Sequence, residues 1–363
     1  GFCRAGCPTY AETSLESTNA RGRVILAYHL LTGRLEPSKE LAERFYQCTM
    51  CHNCNAVCPA GVRVADIIQA ARTRLAEAGY LPPIHRTLMR SIEEKGNPFG
   101  EATEKRTDIY PKELKSRDGA TTLLYFGCVA SYQDINIIPS ALKIMDKAKV
   151  DYITLGDKEY CCGYISFLVG DEKEFENSIN KNITLFKQMG IKEIITTCAG
   201  CSRTFKDLYP KHRKLDGIQV YHFVEYLEKF ITDNRITFKD GAKKVKVVYH
   251  DPCDIGRHMG IYEPPRNVIS AIPSVELMEF TQNRNLAKCC GGGGGLKAYK
   301  TDMSLEIAYK RIQQANDVGA EVVVSACPAC KSNLQIAAAR LRKEKKGRIK
   351  VMDITELVAE ALA

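Results

Sequence analysis

Apolar positions recur along this chain with two different periods, and the change of period divides it. Residues 1 to about 110 read as helical, with clear helical stretches from Arg21 to Leu31 and from Ser38 to Phe45. Gly96-Asn97-Pro98-Phe99-Gly100 breaks that pattern, and the charged stretch from Glu101 to Asp118 reads as a domain boundary. From Thr121 short apolar runs take over. Thr121 to Phe126, Asp151 to Leu155 and Glu193 to Thr197 predict strands, and Phe175, Ile179, Ile183 and Phe186 mark one face of a helix between them. The order then repeats. Val245 to Tyr249 predicts a strand, a helix follows from Pro264, and another strand lies near Val275. Leu305, Ala308, Ile312 and Ala315 mark a helical face, and the strand from Glu321 to Ser325 leads to a helix from Ser332. Strands alternating with helices predict parallel sheets. The expected fold is α/β plus all-α: a helical domain over residues 1–110, then two duplicated α/β modules over 119–238 and 243–363.

The cysteines repeat in step with the strands. Cys128 is followed after 32 residues by Cys161-Cys162-Gly163, and after 35 more by Cys198 and Cys201. Cys253 is followed after 35 residues by Cys289-Cys290-Gly291, and after 36 more by Cys327 and Cys330. Ten of the 16 cysteines thus form two copies of one five-cysteine template, which marks an internal duplication. The single cysteines and the Cys-x-x-Cys pairs directly follow predicted strands, where open α/β sheets gather their ligands. Helices after Cys201 and Cys330 would aim N–H groups at an anionic group there. Gly163, Gly291 and Gly292 are expected to bring backbone close to a cofactor where a side chain would clash. A flexible linker is the plain reading of the run Gly291 to Gly295, but its place directly after a ligand pair argues against it.

The other six cysteines lie in the helical part. Cys48-x-x-Cys51-x-x-Cys54-x-x-x-Cys58-Pro59 is a complete bacterial ferredoxin motif, and Cys3-Arg4-Ala5-Gly6-Cys7-Pro8 is the end of a second one. In such motifs the Cys before Pro crosses to the other cluster. Cys48, Cys51, Cys54 and Cys7 are therefore expected to hold one cubane [4Fe-4S] cluster, and Cys3 and Cys58 to share another. Its two further ligands are expected upstream, at the residue before Gly1 and three further back. The 40 residues between Cys7 and Cys48 exceed a compact ferredoxin and predict a helical ferredoxin-like domain. Zinc would close with four ligands and does not need the gap before Pro59. His29, His52 and His85 read as surface or packing residues.

A net charge of +9 suits anionic clusters and an acidic substrate or partner, although much of it reads as solvated Lys and Arg. No nucleic-acid motif accompanies the charge, and no nucleic-acid partner is expected. No apolar run approaches the ~20 residues that span a bilayer. Disulfides suit short, loop-rich secreted chains better than a chain of this length, so the thiols point to a reducing cytoplasm.

Five thiolates per module leave one over for a plain cubane. Either the fifth is a free thiol, or one sulfur bridges two irons of an open cluster; spacing alone does not choose. The duplicated template resembles the cysteine-rich CCG-domain proteins of the heterodisulfide reductase family. The ferredoxin motifs fused ahead of it look like the D-subunit type of the membrane-linked enzymes. The resemblance covers essentially the whole chain. It implies two noncubane [4Fe-4S] clusters, one held by Cys128, Cys161, Cys162, Cys198 and Cys201, the other by Cys253, Cys289, Cys290, Cys327 and Cys330. It further implies an oxidoreductase that cleaves the coenzyme M–coenzyme B disulfide between those clusters. Electrons would come through the ferredoxin cubanes from a membrane b-type cytochrome, or another redox subunit that ties the protein to the membrane. Many relatives have His where Asp254 follows Cys253. His250, Arg257 and His258 flank Cys253 and are candidates for substrate or proton contacts, or for bracing the loop. The same architecture also serves electron-transfer subunits of anaerobic lactate, glycolate or glycerol-3-phosphate dehydrogenases, and a sulfur-cycle complex acting on a protein trisulfide.

Overall fold

The computed structural model describes residues 1–111, 117, 119–215, 217–240 and 243–363. Helices alone build the chain up to Lys95. The longest are Ala20–Leu31, Lys39–Tyr46, Val64–Glu77 and Pro83–Lys95. Local chemistry sets their ends. Asn19 and Ser38 accept the N–H groups of Gly22 and Leu41, and Gly96 closes the last helix at φ +66. Their core is Phe45, Tyr46, Ile68, Leu75 and Ile92.

Beyond residue 120 two parallel sheets follow. β1 (Thr122–Tyr125), β2 (Glu193–Thr196) and β3 (Gln219–His222) lie in that order; β4 (Val245–His250), β5 (Val275–Met278), β6 (Val322–Ser325) and β7 (Lys350–Asp353) form a sheet ordered β5-β4-β6-β7. The expected strand over Asp151 to Leu155 is not one. Only Ile153 bridges Leu123, because Lys149 turns the chain at φ +51 just before and a 3-10 turn, Gly156–Lys158, follows at once. That bridge holds the place that β5 holds in the second sheet, so the two copies share one strand order. β3 and β7 carry no cysteine, and the sequence reading passed over them. Each leads into a helix through a capping box, His222 with Glu225 and Asp353 with Glu356. The helix expected from Ser332 starts earlier, at Pro328. The boundary stretch from Glu101 contains a 3-10 turn, Thr103–Arg106, with Arg106 buried; its later part lies largely outside the described residues.

The modules pack as mates. The helix Ile137–Lys147 of the first lies on Ile354–Ala361 of the second, and Phe223–Thr232 of the first on Glu263–Ser270 of the second. These contacts are reciprocal, as a pseudo-two-fold axis requires. One apolar core runs through both copies, from Leu124, Phe126 and Leu142 to Val247, Val324 and Val358. Truncating such buried branches costs about 2–5 kcal/mol each, so neither copy is built to stand alone.

Candidate iron–sulfur centres

The single cysteines and the Cys-x-x-Cys pairs of the modules sit where strands give way to helices. Cys128 opens a short helix, Cys128–Tyr132, three residues past β1, and Cys253 follows β4. Cys198 and Cys327 are the N-caps of the helices Ala199–Arg203 and Pro328–Lys343, which places Cys201 and Cys330 within the first turns. The helices thus begin inside the Cys-x-x-Cys pairs rather than after them, and their free N–H groups surround the sulfurs more closely than expected. All 16 cysteines are free thiols.

Ten thiols form one line across three parts of the molecule. Within the first module Cys128 meets Cys161, Cys161 meets Cys162, Cys162 meets Cys201, and Cys201 meets Cys198. In the second, Cys289 meets Cys290, whose sulfur lies 3.2 Å from that of Cys330, and Cys330 meets Cys327. Cys198 and Cys327 join the two modules. At the other end Cys289 meets Cys51 of the ferredoxin loop. Cys253 stands beside the line, close enough to feel Cys289, Cys51 and Cys290. The row pulls its members apart. Hydrogen bonding from Cys161 brings Cys162 down to about 6, while partners Cys290 and Cys198 push Cys289 and Cys327 up to about 12. Touching thiols cannot all ionise until a cation stands among them. Both donor sets therefore fit a multi-iron group.

The ferredoxin cradle fits one too. Cys7, Cys48, Cys51 and Cys54 line one small cavity together with Arg23, whose Nη2 has no partner among the described residues. Cys3 and Cys58 lie outside that lining and are partly exposed.

Backbone N–H groups point at sulfur from Met50 to Cys48, Gly163 to Cys161, Gly291 to Cys289 and Gly292 to Cys290, at 3.3–3.5 Å. The rest of the glycine run does something else. A Cβ on Gly294 would stand 2.3 Å from the Cys48 carbonyl oxygen, and one on Gly293 2.8 Å from that of Thr49. The run is a joint against the ferredoxin loop. Arg72, wholly buried, pins the joint by donating to the carbonyls of Phe45, Cys48, Leu168 and Gly294, and so ties the helical part to both modules. His85 meets the Gly295 carbonyl at 3.0 Å, and burial holds it down to about 4.

The flanking candidates of Cys253 go three ways. Arg257 directs its N–H groups to the carbonyls of Asn285, Cys51 and Ala287, which is the geometry of a brace between the second module and the ferredoxin loop. His250 is buried against Cys290 and Cys330, 3.3 Å from Arg311, and burial lowers it to about 3. His258 stacks edge-on to His52 at 3.7 Å, its Nε2 without a hydrogen bond but 3.9 Å from Asp254 Oδ1, and burial drives it far down. His29 is half-buried against Tyr28.

Sequence reasoning missed three buried groups. Asp254 of the second module accepts from Tyr164 and Arg203 of the first, locking the copies beside Cys198 and Cys327. Arg106 pairs with Glu159 at 2.8 Å and reaches Cys128 Sγ at 3.5 Å. Gly127 lets β1 pass 2.9 Å from Cys201 Sγ, measured from the Cβ it lacks. Gly127 and Asp254, each adjacent to a site cysteine, carried a signal in the sequence, and Arg106 carried none.

Comparison with known proteins agrees with this geometry. A cysteine-rich CCG domain matches residues 122–206 and 247–335, and a 4Fe-4S dicluster domain matches residues 1–62. The chain is 33% identical to the D subunit of a dihydromethanophenazine:CoB–CoM heterodisulfide reductase from Methanosarcina acetivorans, over all of this chain and 92% of that protein. It is 27% identical to the B subunit of a CoM/CoB fumarate reductase from Methanothermobacter marburgensis, over 98% of this chain and 70% of that one. It is also 27% identical to an EtfAB:quinone oxidoreductase from Syntrophomonas wolfei, over 88% of this chain but 47% of the relative.

Proposed function

Because the chain belongs to the family of heterodisulfide reductase D subunits, iron–sulfur oxidoreductases, we propose that it reduces the disulfide of coenzyme B and coenzyme M to two thiols, taking up two electrons and two protons. The contact of Cys198 with Cys327 carries this reading. The two five-cysteine sets end at one plane between the modules, so a single disulfide can present one sulfur to each.

Cys128, Cys161, Cys162, Cys198 and Cys201 would hold one noncubane [4Fe-4S] cluster, and Cys253, Cys289, Cys290, Cys327 and Cys330 the other. Cys7, Cys48, Cys51 and Cys54 would hold a cubane, and Cys3 and Cys58 part of a second. When bound, such clusters supply one-electron transfer and thiophilic iron. The chain's own residues do the rest. Cys51 against Cys289 brings the electron entry to the second module, with Arg257 and Arg72 fixing that approach. Tyr164, Arg203 and Asp254 hold the plane between the modules. Burial keeps the Tyr164 hydroxyl protonated there, and it donates a hydrogen bond to Asp254 Oδ1. Eight of the ten module cysteines are buried, whereas Cys3 and Cys58 are partly exposed. Among the described residues no helix is long and apolar enough to cross a membrane. A separate redox protein, a membrane b-type cytochrome in this reading, would deliver the electrons.

The likeness to an EtfAB:quinone oxidoreductase favours a second reading, in which the chain relays electrons without a disulfide substrate of its own. Reduction of the heterodisulfide by the anaerobically purified complex, driven by reduced viologen and followed by paramagnetic resonance, separates the two. Turnover with a substrate-dependent cluster signal is expected. Full iron content without turnover would leave the relay.

A further inference from the structure

Three buried arginines outside the ferredoxin cradle meet a carboxylate, and two inside the ferredoxin part do not. Arg106, Arg203 and Arg266 each meet a carboxylate, at 2.8, 3.2 and 2.8 Å from Glu159, Asp254 and Asp251. Arg311 lacks such a pair but lies close enough to feel Asp251. Arg23 and Arg72, 1% and 0% exposed, have no carboxylate within ion-pair distance among the described residues. A buried cation left without an anion is costly, and a fold keeps one where negative charge is to be placed. Arg72 is at least fully hydrogen-bonded to carbonyls. Arg23 is not. Its Nε donates to the Arg44 carbonyl at 2.7 Å and its Nη1 to Thr9 Oγ1 at 3.2 Å, but Nη2 donates to nothing. Arg23 lines the cavity of Cys7, Cys48, Cys51 and Cys54, and Thr9 Oγ1 lies 3.4 Å from Cys7 Sγ. One hydroxyl, which also donates to the Thr18 carbonyl at 3.1 Å, therefore stands between the guanidinium and a ligand sulfur.

We propose that Arg23 is the fixed counter-charge of the iron–sulfur cluster held by Cys7, Cys48, Cys51 and Cys54, and that with Arg72 behind it Arg23 raises that cluster's reduction potential. The proposal rests on the cluster reading given above. When the cluster takes one electron from a one-electron donor its negative charge grows by one, and no bond is made or broken. A cation at fixed distance stabilises the reduced form more than the oxidised form, so the potential rises. Arg23 acts on the cofactor and not on the substrate, which makes it a tuning residue for electron entry.

A redox titration of the whole anaerobic protein, with dithionite as donor, mediator dyes and paramagnetic resonance, tests this. In Arg23→Gln the ratio of reduced to oxidised cluster at a fixed potential should fall about tenfold, which is 59 mV for one electron. Arg23→Lys keeps the charge and should stay within about threefold of the parent. An Arg23→Gln protein with full iron that titrates like the parent overturns the proposal, and so does an Arg23→Lys protein shifted as far as Arg23→Gln. If Arg23→Gln does not retain iron, Thr9→Val decides, since it cuts the link to Cys7 and leaves the cation in place. An unshifted potential then supports the counter-charge, and a tenfold shift assigns the effect to the hydrogen bond and overturns it. A parent protein with no iron–sulfur signal would sink the cluster reading and the proposal together; a parent signal with an unmoved Arg23→Gln variant would sink the proposal alone.

Discussion

The two modules carry one cysteine template and present it to different neighbours. Two residues past the paired cysteines the first copy has Tyr164 and the second Gly292. Tyr164 reaches across to Asp254 and packs over Gly200, where an added Cβ would stand 2.6 Å from its ring. The matching place in the second Cys-x-x-Cys is Ala329, and opposite it Gly292 leaves room: a Cβ there would meet the Ala329 carbonyl at 3.3 Å. Large-with-small in one copy is replaced by small-with-larger in the other. The paired-cysteine loop of the first copy reaches its twin through Tyr164 and rests on the helix end at Gly96 through Cys161, and that of the second packs on the cysteine loop of the ferredoxin part. Duplication preserved the sulfur geometry and let the exits diverge: Cys289 of the second copy meets Cys51 of the ferredoxin loop, whereas the row of the first copy ends on its mate at Cys327.

Three pairs of substitutions would break or sharpen that contrast. The largest effect is expected at the joint. Gly294 has φ +65 and no room beside the Cys48 carbonyl, so Gly294→Ala should cost about 2–4 kcal/mol in anaerobic urea unfolding and lower the iron content. Gly190 of the first copy has φ +64 with open space around it, and Gly190→Ala should cost about 1 kcal/mol. Equal costs would mean that the ferredoxin contact is not what holds the glycine run.

Next comes the Tyr164–Gly200 pair. Ala in a helix ordinarily gains over Gly by about 1 kcal/mol. Gly200→Ala should instead destabilise by about 1–3 kcal/mol because the ring has nowhere to go. Adding Tyr164→Gly, which makes the first copy like the second, should recover part of that loss in a double-mutant cycle. Strict additivity would refute the compensation.

The smallest effect separates the two capping boxes by pH. His222 and Asp353 hold matching positions, both are buried, and burial moves them oppositely, His222 down to about 3 and Asp353 up to about 8. The lowered His222 contributes stability that is present above its ordinary value near 6.5 and is lost as pH falls toward 3. The raised Asp353 contributes stability that is present below about 4 and is lost as pH rises through 8. Asp353→Asn should therefore flatten the alkaline decline of the urea midpoint, and His222→Asn the acid one. A variant whose profile parallels the parent would remove that cap from the account.

How far the sequence reached depended on the range of the interaction. Ligand spacing, the strand before each Cys-x-x-Cys and the duplication are local or periodic, and all were legible from residues such as Cys198, Cys327 and the run Glu193 to Thr197. The segment Asp151 to Leu155 misled because its apolar pattern suits a strand while Lys149 and the turn at Gly156 leave no length for one. β3 and β7 escaped notice for lack of a cysteine, although His222 and Asp353 each stand three residues before a Glu.

The sequence by itself determined which thiols belong together and that two copies of one module carry them, because ligand spacing is written along the chain. Only the tertiary structure decided that Cys51 meets Cys289, that Cys198 meets Cys327, and that Arg23 and Arg72 are buried without anions. A buried arginine has the same letter as a solvated one. What distinguishes it is the set of distant carbonyls and sulfurs that packing brings within reach, and no local pattern records them.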